Sequence, residues 1–231
     1  MTAIRKARVV RDVEVRYVER DGHHLAFEVF GSGPCDVLLM QSSSPIDLLW
    51  DLPQLASFLD ALGSVARVIA FDARGLGASD PVVDTSAASI EATCDDTVAV
   101  LDAADSRRAT ILSLSSGSAA VMFAATYPER VRSLILAHLR TSHPELRNLS
   151  AEQRINIARW LTTTQNLRTE NPRVAHDPEL QRWWGRARRL LNSPEATAKS
   201  IEWAGSIDTD AAAPAVRVPT LVLHRSENRL W

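Results

Sequence analysis

Short runs of consecutive apolar residues constrain this chain more than any other feature of its sequence. They are Val37-Leu38-Leu39-Met40, Val68-Ile69-Ala70-Phe71, Thr110-Ile111-Leu112, Leu134-Ile135-Leu136 and Leu221-Val222-Leu223. A strand with one face in water alternates apolar and polar side chains. A run without alternation fits a strand covered on both faces. Helical segments lie between the runs. Ile90, Cys94, Thr97, Val98 and Leu101 recur at i, i+4, i+7, i+8 and i+11, which places them on one face of a helix. This order of strands and helices predicts an α/β chain with a mostly parallel, doubly wound sheet and right-handed crossovers.

The flanks of this pattern read differently. Val13 to Glu19 and His24 to Phe30 alternate, as in half-exposed antiparallel strands, with turn signals at Arg20-Asp21-Gly22 and Gly31-Ser32-Gly33-Pro34. Between about 148 and 205 the β-rich runs vanish and three helix starts appear. Ser150 with Gln153 fits a capping box, and Asp177-Pro178 and Ser193-Pro194 each set a capping side chain before a proline. Gly205 reads as the stop of the last helix. The chain thus divides into a first core part (1–147), a helical insertion (148–205) and a return to the core (206–231).

Composition narrows the function classes. With 23% charged residues, a net charge of −2 and no Lys/Arg-rich run, the chain offers no surface for nucleic acid or an anionic membrane. Arg5, Lys6, Arg8 and Arg11 are not followed by an apolar core of signal-peptide length. No stretch reaches the roughly 18 apolar residues needed to span a bilayer. Cys35 and Cys94 form neither a disulfide framework nor a metal-ligand spacing. The expectation is a cytoplasmic chain that needs no cofactor or metal and takes a small molecule; its oligomeric state is not readable.

The chemistry concentrates in residues 109–136, which read as strand, tight turn, helix, short loop, strand. Ser113-Leu114-Ser115-Ser116-Gly117 occupies the turn and matches a G-x-S-x-G elbow, with Ser113 in place of the first glycine. A sharp strand-to-helix turn pushes the Ser115 hydroxyl out of the sheet. It also sets the Ser116 N–H at a helix N-terminus, where it can hold an oxyanion. Ser113, Gly117, Ala119 and Ala120 are small enough for helix and strand to approach closely.

With the elbow, three further segments make the chain resemble the α/β-hydrolase family over roughly residues 15–231. FDARGLGASD (71–80) looks like the loop after the fourth strand. TYPERVRSLIL (126–136) looks like the lead into the sixth strand, and VPTLVLHRSENRLW (218–231) like the strand before the acidic residue. The stretch from Gly33 through Pro81 is similar to hydrolase-like domains attached to nucleotide-cyclase signalling proteins.

The resemblance implies a helical lid over 148–205 and a serine nucleophile, Ser115, with an acid and a histidine base after it in the chain. The acid position falls on Asn228, with Glu227 beside it. The base would follow one further strand, so the resemblance implies a chain that stops before the family's last strand and helix. His138, near the end of the sixth strand, is an alternative base or a pocket wall; His224 reads as structural, and His143 and His176 as loop residues. The oxyanion loop is Met40-Gln41-Ser42-Ser43, where a backbone N–H from Ser42 or Ser43 can serve. Ser43 is taken as the donor beside Ser116, with Ser42 and Gln41 as substrate-binding residues and Gln41 a possible extra donor. Trp183 and Trp184 would line the lid, or one of them would pack inward. Asp72, Arg74, Gly75 and Gly77 would pin the loop after the fourth strand, and Arg182, Arg186, Arg188 and Arg189 would form a solvated helix face. The function implied is a serine hydrolase of esters or other acyl bonds, impaired in this chain. The alternative is a non-catalytic, ligand-binding or regulatory relative, and a third is a decayed product.

Overall fold

The computed structural model describes residues 13–82, 89–137 and 143–224. Among them, seven strands form one sheet: β1 (Val15–Arg20), β2 (His23–Phe30), β3 (Asp36–Met40), β4 (Arg67–Phe71), β5 (Ala109–Ser113), β6 (Val131–Ala137) and β7 (Thr220–Leu223). Their order across the sheet is β1-β2-β4-β3-β5-β6-β7. The pairs β1–β2 and β2–β4 are antiparallel, and every pair from β4 to β7 is parallel. The expected mostly parallel sheet is therefore present, with an antiparallel hairpin at one edge.

The apolar runs explain why both faces carry helices. Successive side chains of a strand point to opposite faces. Leu38, Met40, Ile69, Phe71 and Ile111 pack on one side with Cys94 and Leu101 of α2 (Ile90–Ala103) and Phe123 of α3 (Gly117–Thr126). Val37, Leu39, Val68, Ala70 and Leu112 pack on the other with Ile46, Leu49 and Leu59, the last from α1 (Pro53–Gly63). On α2 the expected face is buried except for Val98, which is half-buried, and Asp96 is buried with it.

Two strand readings need correction. β2 is not half-exposed: Leu25, Ala26, Phe27, Glu28 and Phe30 are all buried, because β1 and β4 flank it and Trp50 packs edge-on against Phe30. β7 is not covered on both faces: Leu221, Val222 and Leu223 are 52%, 54% and 48% exposed. Among the described residues β7 pairs only with β6 and forms the sheet edge, so apolarity alone did not report its environment.

Between β6 and β7 the described residues form four α-helices: α4 (Ala151–Leu161), α5 (Thr164–Glu170), α6 (Pro178–Leu191) and α7 (Pro194–Ser206). The expected caps form. Ser150 and Gln153 complete a reciprocal capping box, Asp177 accepts from the Glu179 and Leu180 N–H groups, and Ser193 accepts from Ala196 N–H. α5 has no counterpart among the helix starts read from sequence. Gly205 lies inside α7 and does not stop it; a Cβ there would lie 2.8 Å from the Leu146 carbonyl carbon, so glycine serves close packing. No helix among the described residues is long and apolar enough to cross a membrane.

Candidate active site

The C-terminal ends of β3 and β5 lie side by side, and Leu114 N–H donates to the Met40 carbonyl at 3.0 Å. The chain then leaves the sheet. Ser115 is exposed at the tip of the turn, and Ser116 caps α3 with φ −108° and ψ 49°. Among the described residues, only Asp21 and Asp105 combine a side chain with positive φ. The turn at Ser115 is therefore made without left-handed backbone at the serine.

The turn after β3 faces it. Ser42 N–H donates to Ser115 Oγ at 3.0 Å, and the two hydroxyl oxygens are 3.3 Å apart. Of the alternatives Ser42 and Ser43, the structure aims Ser42 at the elbow. Ser43 N–H, the donor expected from sequence, is engaged instead with Gln41 Oε1 at 2.9 Å. Gln41 Nε2 donates to the Ser44 carbonyl at 2.6 Å, which engages one of its two N–H groups within the turn.

A buried acidic layer supports this turn. The Asp72 carboxylate accepts from Ile46 N–H at 3.0 Å and Ala78 N–H at 2.9 Å, tying the loop after β3 to the loop after β4. Burial raises its pKa to about 6, against the lowering effect of those two N–H groups. Glu28 lies nearby on β2 and accepts from Trp50 Nε1 at 3.3 Å. Burial pushes its pKa to about 8; Trp50 opposes the rise, and the charges of Asp47 and Asp72 add to it. Arg74 grips Asp96 of α2 with two hydrogen bonds, of 3.0 and 2.6 Å. Asp72 and Arg74 thus sit where the loop-pinning reading put them. Glu28, Trp50 and Asp96 were missed; an acid within an apolar strand or a helix's buried stripe was the available signal.

α6 docks on the segments after β3 and after β4. Trp183 Nε1 donates to the Leu48 carbonyl at 2.9 Å, Arg186 pairs with Asp51, and Gly77 N–H donates to the Leu191 carbonyl at 3.0 Å. Trp184 is buried in a cluster with Leu167 and Ala175, against which Trp183 also packs, so it contributes to the core between α5 and α6. Arg186 and Arg188 are not simply solvated: Arg188 lies over the Trp184 ring at 5.9 Å. Arg182 and Arg189 are exposed.

The remaining candidates fall elsewhere. His138, Glu227 and Asn228 lie outside the described residues. His224 is exposed just past β7, His176 is exposed, and His143 lies 3.4 Å from Glu145. Among the described residues, the hydrogen bonds of Ser115 run to Ser42 and not to a histidine.

A mostly parallel sheet covered by helices on both faces, with an exposed serine where a central strand turns into a helix, defines a doubly wound α/β fold. The model of the alpha/beta hydrolase fold family matches residues 50–226, and the chain belongs to that family. Solved structures agree on the fold. A hydrolase from Pseudomonas aeruginosa is 24% identical with a TM-score of 0.72, over 90% of this chain and 78% of that one. An enol-lactonase from Burkholderia xenovorans is 22% identical with a TM-score of 0.71, over 90% and 80%. A thermophilic esterase from Thermogutta terrifontis is 23% identical with a TM-score of 0.69, over 91% and 79%. No curated protein matches the chain.

Proposed function

We propose that this chain is a serine hydrolase acting on an ester or similar acyl bond of a small molecule. Ser115 attacks the carbonyl, and the N–H groups of Ser42 and Ser116 hold the oxyanion. The observation that carries the reading is the 3.0 Å contact between Ser42 N–H and Ser115 Oγ. An amide already within hydrogen-bond reach of the nucleophile is also within reach of an oxygen on the carbon that the nucleophile attacks. The Ser115 hydroxyl occupies that donor itself, and an arriving carbonyl oxygen would displace it. The esterase and the lactonase of the same fold support an acyl-transfer class.

In this reading residues 148–205 form a lid, flanked by core parts 1–147 and 206–231, and Trp183 closes the side toward the loop after β3. Asn228 or Glu227 takes the acid position. A positioned base contributes ~10²–10⁴-fold in rate, so turnover is impaired by that order unless a histidine reaches Ser115. His138, next in sequence after β6, is the first base to test.

A second reading, a ligand-binding domain without catalysis, is favoured by Asn228 at the acid position and by an oxyanion loop without glycine. Labelling with a fluorophosphonate probe separates the two. Labelling lost in Ser115→Ala supports the hydrolase; no labelling of a folded chain leaves the binding domain.

A further inference from the structure

The turn that carries Ser42 has no glycine, yet its backbone is fixed by one side chain. Gln41 is 7% exposed. Its Oε1 accepts from Ser43 N–H at 2.9 Å, Ser44 N–H at 3.2 Å and Ser43 Oγ at 3.2 Å, and its Nε2 donates to the Ser44 carbonyl at 2.6 Å. The carboxamide acts as an inserted peptide group, accepting and donating within the same short turn. Both amides after Ser42 are thereby engaged inward, and Ser42 N–H is the one that faces Ser115 Oγ.

We infer that Gln41 is a positioning residue, whose buried carboxamide folds the Ser43–Ser44 backbone inward and so aims the Ser42 amide at Ser115. Its neutrality matters as much as its shape. A carboxylate of the same length would keep the acceptor, lose the donor to Ser44 and place negative charge in the turn that must hold an oxyanion. The role in chemistry rests on Ser115 as nucleophile; the role in geometry does not.

The test therefore uses two readouts on the full chain. The first is the Ser42 amide resonance of ¹⁵N-labelled protein, with and without Ser115→Ala, in the parent and in Gln41→Met. The parent amide is expected to shift when Ser115 loses its hydroxyl, and that response should vanish in Gln41→Met. An equal response in both backgrounds overturns the inference. If Gln41→Met does not fold, Gln41→Glu carries the same comparison across pH, its ionised carboxylate lacking the donor.

The second readout is the fluorophosphonate labelling rate. Gln41→Met should slow it by up to ~10²-fold, the cost of a misplacement of about 1 Å. Gln41→Glu should recover toward the parent rate as pH falls and its carboxyl regains a proton. A loss relative to the parent that is the same at every pH would mark Gln41 as merely structural and overturn the inference. An unlabelled parent would sink the hydrolase reading alone, and the amide resonance would still decide Gln41.

Discussion

Asp72 and Gly77 are in such close contact that a Cβ on Gly77 would lie 2.0 Å from Asp72 Oδ2. Gly77 also has φ +54°. The carboxylate fills the space a side chain would need, and in that space it receives the N–H groups of Ile46 and Ala78.

Gly77→Ala should therefore be costly. Left-handed backbone costs a non-glycine residue roughly 1–2 kcal/mol, and displacing a buried carboxylate from its N–H donors costs about 1.5–3 kcal/mol more. Gly22→Ala is the control: φ is +74°, but nothing lies within 4 Å of the added Cβ. Urea denaturation should show a loss of ~2.5–5 kcal/mol for Gly77→Ala and of only ~1–2 kcal/mol for Gly22→Ala.

Glu28 makes stability fall as pH rises. Below the ordinary carboxyl value of 4.5, folded and unfolded chains both carry the proton, so nothing is lost. From there to about 8 the unfolded chain releases it while the buried carboxyl keeps it. Asp72 acts in the same direction between 3.8 and about 6. Glu28→Gln keeps an acceptor for Trp50 and should flatten the decline between pH 5 and 8, as read by denaturation midpoints. An unchanged slope would show that Glu28 ionises as readily in the folded chain as in the unfolded one.

The Arg74–Asp96 pair should behave as a buried ion pair, its side chains 9% and 3% exposed. Removing one partner strands the other, at a cost of about 3–5 kcal/mol. Arg74→Met should lose that much; combining it with Asp96→Leu should recover part of it. Arg20 also approaches Asp96, at 3.4 Å, so Asp96 keeps one cation and the loss in Arg74→Met should fall at the low end of that range. A double-mutant cycle with no coupling energy would contradict the pairing.

Trp183→Phe keeps an aromatic ring and removes the N–H that reaches the Leu48 carbonyl. The expected loss is ~1 kcal/mol, localised where α6 meets the loop after β3. Amide exchange over residues 178–191 should accelerate, with the α2 and α3 amides unchanged. Uniform acceleration would point to global destabilisation instead.

Much of the fold was legible because it rests on local rules. Period and apolar runs gave the strands, and Ser150, Asp177 and Ser193 marked helix starts through their own side chains. α5 was hidden because its cap, Thr163, sits in a run of three threonines that does not single out one start. Of the site, Ser115 and the Ser42/Ser43 turn could be read from chain order. What Gln41 does could not, since its partners are set by how the turn folds back on itself. Glu28 shares a strand face with Ala26 and Phe30, but its burial depends on Trp50, 22 residues along the chain. β7 shows the reverse limit: an apolar run reports a preference for cover, and its exposure depends on what packs there.

The shorter of the two contacts to Ser115 comes from the peptide bond of residue 42, and only the longer one, from its hydroxyl, would be lost on replacement. Evolutionary drift at that position is therefore cheap: most replacements of Ser42 would carry the same N–H, and proline, which has none, would not. Gln41 is under the opposite pressure, because the turn depends on its carboxamide. Two adjacent residues thus inherit opposite tolerances, and lineages of this chain should vary at 42 while holding 41.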